Sequence, residues 1–266
     1  MKNMVIIDNR NEVDTLQQVS EKVEQIMQQE SLVSFWDFQE AAGEARVAKG
    51  QFPYALQEMA GPIERVNEGV FGQYAAKLAF GQWFHLARKD CSALDFHGPD
   101  AELTILAWLK RDDRVNQQCQ AIAGMWNETE KKRQYAMFLD LRIWQSGNQV
   151  GGHVSAEGGP TPGHPWCMST AIGATPLVTE KWYALAFTYD GNYARVYIDG
   201  VLDSRDEYNP YLYDKGLYDG GSTGADFTVG AVHRSGEMGN FYAGLLGGLA
   251  VYNKALTDEE ILLLSK

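Results

Sequence analysis

The run from Trp182 to Leu202, W-Y-A-L-A-F-T-Y-D-G-N-Y-A-R-V-Y-I-D-G-V-L, limits the fold more than any other stretch of the chain. Apolar and polar side chains alternate along it, and Asp190-Gly191 and Asp199-Gly200 interrupt it. Alternation places every second side chain on one face of an extended strand. Asp-Gly between two such runs marks a tight hairpin, because glycine takes the positive φ of the turn without a steric cost. Together they predict an antiparallel sheet with one buried face. At the end of the chain Thr257 is followed three residues later by Glu260, the reciprocal arrangement that opens a helix, and Asp258 and Glu259 suit the positive end of its dipole.

The same texture extends upstream. Residues 32–38, 75–80, 93–96, 102–110, 121–126, 135–144 and 149–155 read as further strands, rich in β-branched and aromatic side chains. Two segments read as loops: 156–176, dense in glycine and proline, and 203–225, rich in Tyr, Asp and Gly. A long structureless loop in a compact domain is usually functional or mobile. Many short strands and few helices predict an all-β sandwich or barrel. Residues 1–30 differ. Asp14, with Gln17 as partner, reads as a helix cap, and Leu16, Val19, Val23 and Ile26 form a narrow apolar stripe on a polar helix. That stripe packs on its own domain or serves as the seam of a homodimer. The expected organisation is a helical extension over 1–30 and one domain over 31–266.

Charge excludes two partner classes. Lys and Arg number 23 against 35 Asp and Glu, a net charge of −12, whereas nucleic acid and anionic membranes both call for a basic surface. The one basic run, Lys131-Lys132-Arg133, reads as a solvated loop. Cys91, Cys119 and Cys167 are odd in number and widely spaced, which argues against a disulfide framework or a structural zinc site. The first 18 residues lack the apolar core of a leader, so the chain is expected to be cytoplasmic, or secreted if a leader has been removed.

Four segments carry a resemblance: L-V-S-F-W-D-F at 32–38, E-L-T-I-L-A-W at 102–108, the hairpin pair at 182–200, and G-L-L-G-G-L-A-V-Y-N-K-A-L-T-D-E-E-I at 244–261. In order and spacing these resemble the laminin-G-like branch of the concanavalin A-like lectin/glucanase superfamily. The resemblance implies a jelly-roll sandwich of two curved antiparallel sheets, flanked here by an N-terminal helix and a short C-terminal helix. It also implies glycan binding on the concave face and its rim loops. Relatives of this branch often hold calcium, which would make Asp37 a metal ligand; by its own position Asp37 reads as a surface strand residue. No other cofactor is implied.

Glycosidases of the superfamily carry an E-x-D-x-x-E motif on one strand. The nearest string, Glu12-Val13-Asp14-Thr15-Leu16-Gln17, ends in Gln and sits at the expected helix start. Glu128 and Asp140 remain as weaker catalytic candidates, and Asp140 alternates with Arg142, a spacing that suits a structural ion pair on one strand face. There is no Gly-x-Ser-x-Gly, no His-Glu-x-x-His and no phosphate-binding glycine loop. A polar and aromatic set fits a sugar better: Trp126, Asn127, Glu128, Arg142, His153, His164 and Trp166. Sugars offer C–H faces to aromatic rings and hydroxyls to directional polar groups, and binding pockets combine such walls. Trp126 is equally a core residue by pattern, and Trp166 equally a plug for its loop. His85, between Phe84 and Leu86, reads as a satisfied buried histidine. The expected function is a non-catalytic, lectin-like domain for a glycan or polysaccharide. The alternatives are a glycoside hydrolase with an unrecognised carboxylate pair and an interaction module that dimerises through residues 13–29.

Overall fold

The computed structural model describes residues 9–113 and 118–266, with side chains of the first helix from residue 17 onward. The described strands form two sheets. At the centre of the first, Leu103–Arg111 lies between Trp182–Tyr189 and Gly244–Tyr252, and pairs antiparallel with both. Tyr193–Ile198 and Val201–Leu202 extend it on one side through the two Asp-Gly hairpins, and Ala75–Leu78 and Glu64–Val66 on the other. The second sheet runs Thr170–Ile172, Val150–Val154, Lys132–Leu139, Gln120–Asn127, Phe227–Val229, Trp83–Leu86, Ala55–Met59 and Arg46–Val47. Its ladders are antiparallel except at His233, which pairs parallel with Asn127. This is the jelly-roll sandwich that the resemblance implied.

Alternation sorts the side chains. Ile105, Ala107 and Leu109 of the first sheet meet Ile122, Met125, Tyr135, Met137 and Leu139 of the second in the main core. Leu106, Trp108, Ala186, Ala250 and Tyr252 point the other way, off the outer face of the first sheet. There they are covered by Ile26 of helix α1 (Asn9–Met27), by Phe71, and by Ile261 and Leu264 of helix α2 (Asp258–Ser265). Thr257 and Glu260 form the expected capping box, with bonds of 3.2 and 2.7 Å. On the second sheet, Ala121, Trp126, Ala136 and Phe138 face outward in a separate cluster with Cys167 and Val232. Helices α1 and α2 sit on the first sheet, and among the described residues no helix covers the outer face of the second.

Several expectations are corrected. Helix α1 already includes Asn9, so Asp14 and the string Glu12–Gln17 lie within it and do not cap it. Residues 93–96 form no strand; Ser92–Leu94 is a 3-10 turn. The strand expected over 135–144 ends at Leu139, since Asp140, Arg142, Trp144 and Gln145 all take φ near +55°. The loop 156–176 contains the strand Thr170–Ile172, and 203–225 contains Tyr211–Leu212 and the turn Gly221–Thr223. Arg133 is buried in a strand and is no part of a solvated loop. His85 is only partly buried and pairs with Asp226 at 3.0 Å. Val23 and Ile26 pack on the domain itself, so that half of the stripe is engaged within the chain; Leu16 lies among the residues whose side chains are not described.

Candidate functional site

A cleft of about 320 Å³ opens on the outer face of the second sheet. Its floor is three rings from three adjacent strands. Trp126 comes from Gln120–Asn127, where a register shift between Met125 and Trp126 redirects the strand end. Phe138 comes from Lys132–Leu139 and His153 from Val150–Val154. The His153 ring lies 5.0 Å from Trp126 and 5.3 Å from Phe138, the latter edge-on. Gly151 makes room beside them, since a Cβ there would meet the Leu141 side chain at 2.5 Å.

The floor is buried but polar at chosen points. Trp126 is 2% exposed, and its Nε1 donates to Glu128 Oε1 at 3.2 Å. Arg133 stands behind the pair, with Nη2 3.8 Å from Glu128 Oε2. His153 Nδ1 lies 3.0 Å from the Ser169 carbonyl, which can only accept, so this nitrogen carries the hydrogen. Burial pushes the imidazole down to about 4, against the opposing pull of that carbonyl. His153 is therefore neutral near pH 7, and its Nε2 is an acceptor.

Two guanidiniums stand in the walls. Arg142 grips Asp140 through Nη2 at 2.7 Å and Nε at 3.0 Å, and this bond raises the Arg142 pKa. Opposite, Arg234 donates to Asn240 at 3.0 Å, and Asn240 N donates to Gln118 Oε1 at 2.8 Å. Leu141 and Ile143 flank Arg142, and Cys119 and Cys167 line the cleft as free thiols. Burial raises both thiols, Cys119 to about 12, so neither is a ready nucleophile. Trp166 stands at the rim, 49% exposed, and does not plug its loop.

The cleft thus gathers Trp126, Glu128, Arg142, His153 and Trp166 from the expected set. Asn127 turns away, its Oδ1 accepting from Glu130 N at 2.9 Å. His164 is exposed beside Trp144. Asp140 stands behind Arg142. Asp37 lies past the end of Leu32–Trp36, buried and held by Lys49 Nζ at 2.5 Å. That pairing does not fit the calcium ligand set that the resemblance implied, and the described residues contain no group of three or more His, Cys, Asp or Glu able to hold a metal. Phe138, Gln118, Arg234 and Asn240 complete the cleft without having been expected. Phe138 was findable, two residues from Ala136 on one strand face; the others sit on segments with no periodic signal.

A family model described as the concanavalin A-like lectin/glucanases superfamily matches residues 90–262. No curated protein matches the chain in sequence. Among solved structures, domain 4 of the extracellular GH43 arabinanase AbnA from Geobacillus stearothermophilus, in complex with arabinotriose, is similar at TM-score 0.58 and 16% identity, over 89% of this chain and 98% of that one. The CBM40 of the Ruminococcus gnavus IT-sialidase, bound to α2,3 sialyllactose, matches at 0.51 and 13%, over 72% and 96%. Trypanosoma rangeli sialidase matches at 0.58 and 13%, over 96% of this chain but only 39% of its own. At such identities the likeness is one of fold. No described helix is long and apolar enough to cross a membrane.

Proposed function

The chain belongs to the concanavalin A-like lectin/glucanases superfamily, and from that premise we propose that it is a non-catalytic, lectin-like carbohydrate-binding domain whose site is the cleft on the second sheet. The observation that carries this reading is the composition of the cleft. Trp126, His153 and Phe138 close the bottom of the cleft, each at most 5% exposed, and Trp166 offers an exposed ring at the rim. Arg142, Arg234, Asn240 and His153 line the same space. Aromatic walls and a few convergent polar groups are what a sugar needs, with C–H faces against rings and hydroxyls toward fixed partners. Two neighbours of the same fold hold oligosaccharides, which supports a glycan as the class of ligand.

A glycan array followed by calorimetry tests the reading. Binding is expected, and Trp166→Ala should weaken it by about tenfold or more, roughly the worth of one stacked ring. The exposed position of Trp166 means that the variant should stay folded. Calcium has no part in this reading, so chelation by EDTA should leave the affinity unchanged. Absence of binding to every glycan on the array, with or without calcium, would overturn it.

A further inference from the structure

We propose that the site continues beyond the cleft onto a second platform, the exposed ring of Trp144 with His164 and Tyr208 beside it, so that the domain binds oligosaccharide chains across several residues and not a single terminal sugar. This rests on the carbohydrate-binding reading above. Of the seven tryptophans, only Trp144 and Trp166 are exposed, at 37% and 49%. They sit on two loops that are fastened together: Trp144 Nε1 donates to the Met168 carbonyl at 3.1 Å, and its ring lies 6.4 Å from His164, two residues before Trp166. The Tyr208 ring lies 5.9 Å from that of Trp144, and Arg205 donates to the Trp144 carbonyl at 2.6 Å while covering the Tyr208 ring. Consecutive Cα atoms are about 3.8 Å apart, so Trp144 begins where Ile143, a wall of the cleft, ends.

The backbone around Trp144 is constrained as well. Trp144 holds φ +52°, and Asp140, Arg142 and Gln145 hold +57°, +58° and +56°. Bulky residues rarely enter that region, and they stay there only where the surroundings impose it. Here the imposed conformation presents a large apolar ring to water, a placement that burial does not explain. A ring held by the Met168 carbonyl, His164 and Tyr208 and still 37% exposed is preorganised for stacking, since little freedom remains to be lost on binding.

The test uses an array of mono-, di- and longer oligosaccharides of each sugar, with calorimetry on the hits. Wild type should bind chains of four or more residues at least about tenfold more tightly than the disaccharide of the same sugar. Trp144→Ala should abolish that ratio and leave disaccharide binding intact, whereas Trp166→Ala should weaken both. Trp144→Phe keeps a ring and loses the bond to Met168, so it should retain most of the ratio, which separates stacking from loop fastening. A Trp144→Ala protein with an unchanged ratio, or a wild type indifferent to chain length, overturns the platform alone. A wild type that binds no glycan of any length overturns the parent reading with it.

Discussion

His153 is the residue on which the chemistry of the cleft turns, because its ring is both packing and polar group. Buried between Trp126 and Phe138, it is neutral at pH 7, with a folded pKa near 4 against an ordinary 6.5. As pH falls, the unfolded chain takes up this proton first, so stability is complete above about pH 6.5 and is lost progressively toward pH 4. The gap corresponds to about 3 kcal/mol. His153→Phe keeps a ring against Trp126 and removes the titration. Urea unfolding at pH 7 and pH 4 should therefore show the stability difference moving in favour of the variant by up to about 3 kcal/mol on acidification; a difference that does not change with pH would contradict the assignment. Its alternation with Gly151 and Ser155 made this face read as too polar for a packed core, and the burial of the ring between Trp126 and Phe138 was not legible from that pattern. The role of Arg234 was not legible either, because its side chain reaches the cleft from a hairpin that meets the floor only in three dimensions.

Elements divide in the same way. Long strands with a clear period, such as Leu103–Arg111, were readable, while Arg46–Val47 and Val201–Leu202 are too short to show any period. Asp140, Arg142 and Trp144 keep the alternating pattern of a strand although their backbone has left the extended region, and side-chain pattern carries no information on φ. The ion pair expected of Asp140 and Arg142 nevertheless forms, through a loop. Helix α1 had two readings, and Ile26, fully buried against the first sheet, gives it a role within the domain. Ile26→Ala should lower stability by about 2–4 kcal/mol through the cavity it leaves, measured by urea unfolding. Glycan binding by the same variant should be unchanged, since the cleft is on the other sheet. Light scattering addresses the homodimer: a chain beginning at Ser31 should keep the number of chains per particle of the full chain if the helix serves only its own domain, and a fall from two chains to one would make it the seam.

For the whole molecule, the decisive fact is that its two outer faces are treated differently. Helices α1 and α2 and Phe71 close the first sheet, whereas among the described residues no helix covers the second, and the loop after Leu139 and the hairpin of Val232–Arg234 and Glu237–Gly239 wall the cleft. The four resembling segments made the sandwich readable, but the segments that wall the cleft, around Arg142 and Arg234, lie between them. Whether such a domain cleaves what it holds depends on its carboxylates. Glycoside hydrolysis needs two carboxyl groups across the scissile bond, about 5 Å apart in retaining enzymes and about 6.5–9.5 Å in inverting ones. Glu128 is the one carboxylate lining the cleft among the described residues, and it accepts from Trp126 Nε1 with Arg133 beside it. Asp140, the other candidate, has both oxygens bound by Arg142. A carboxylate whose two oxygens already accept from a cationic fork has neither turned toward a substrate. Incubation with a broad panel of polysaccharides should accordingly release no reducing ends above a heat-treated control. Release that disappears in both Glu128→Gln and Asp140→Asn would instead identify these two groups as a working pair and make the domain a hydrolase.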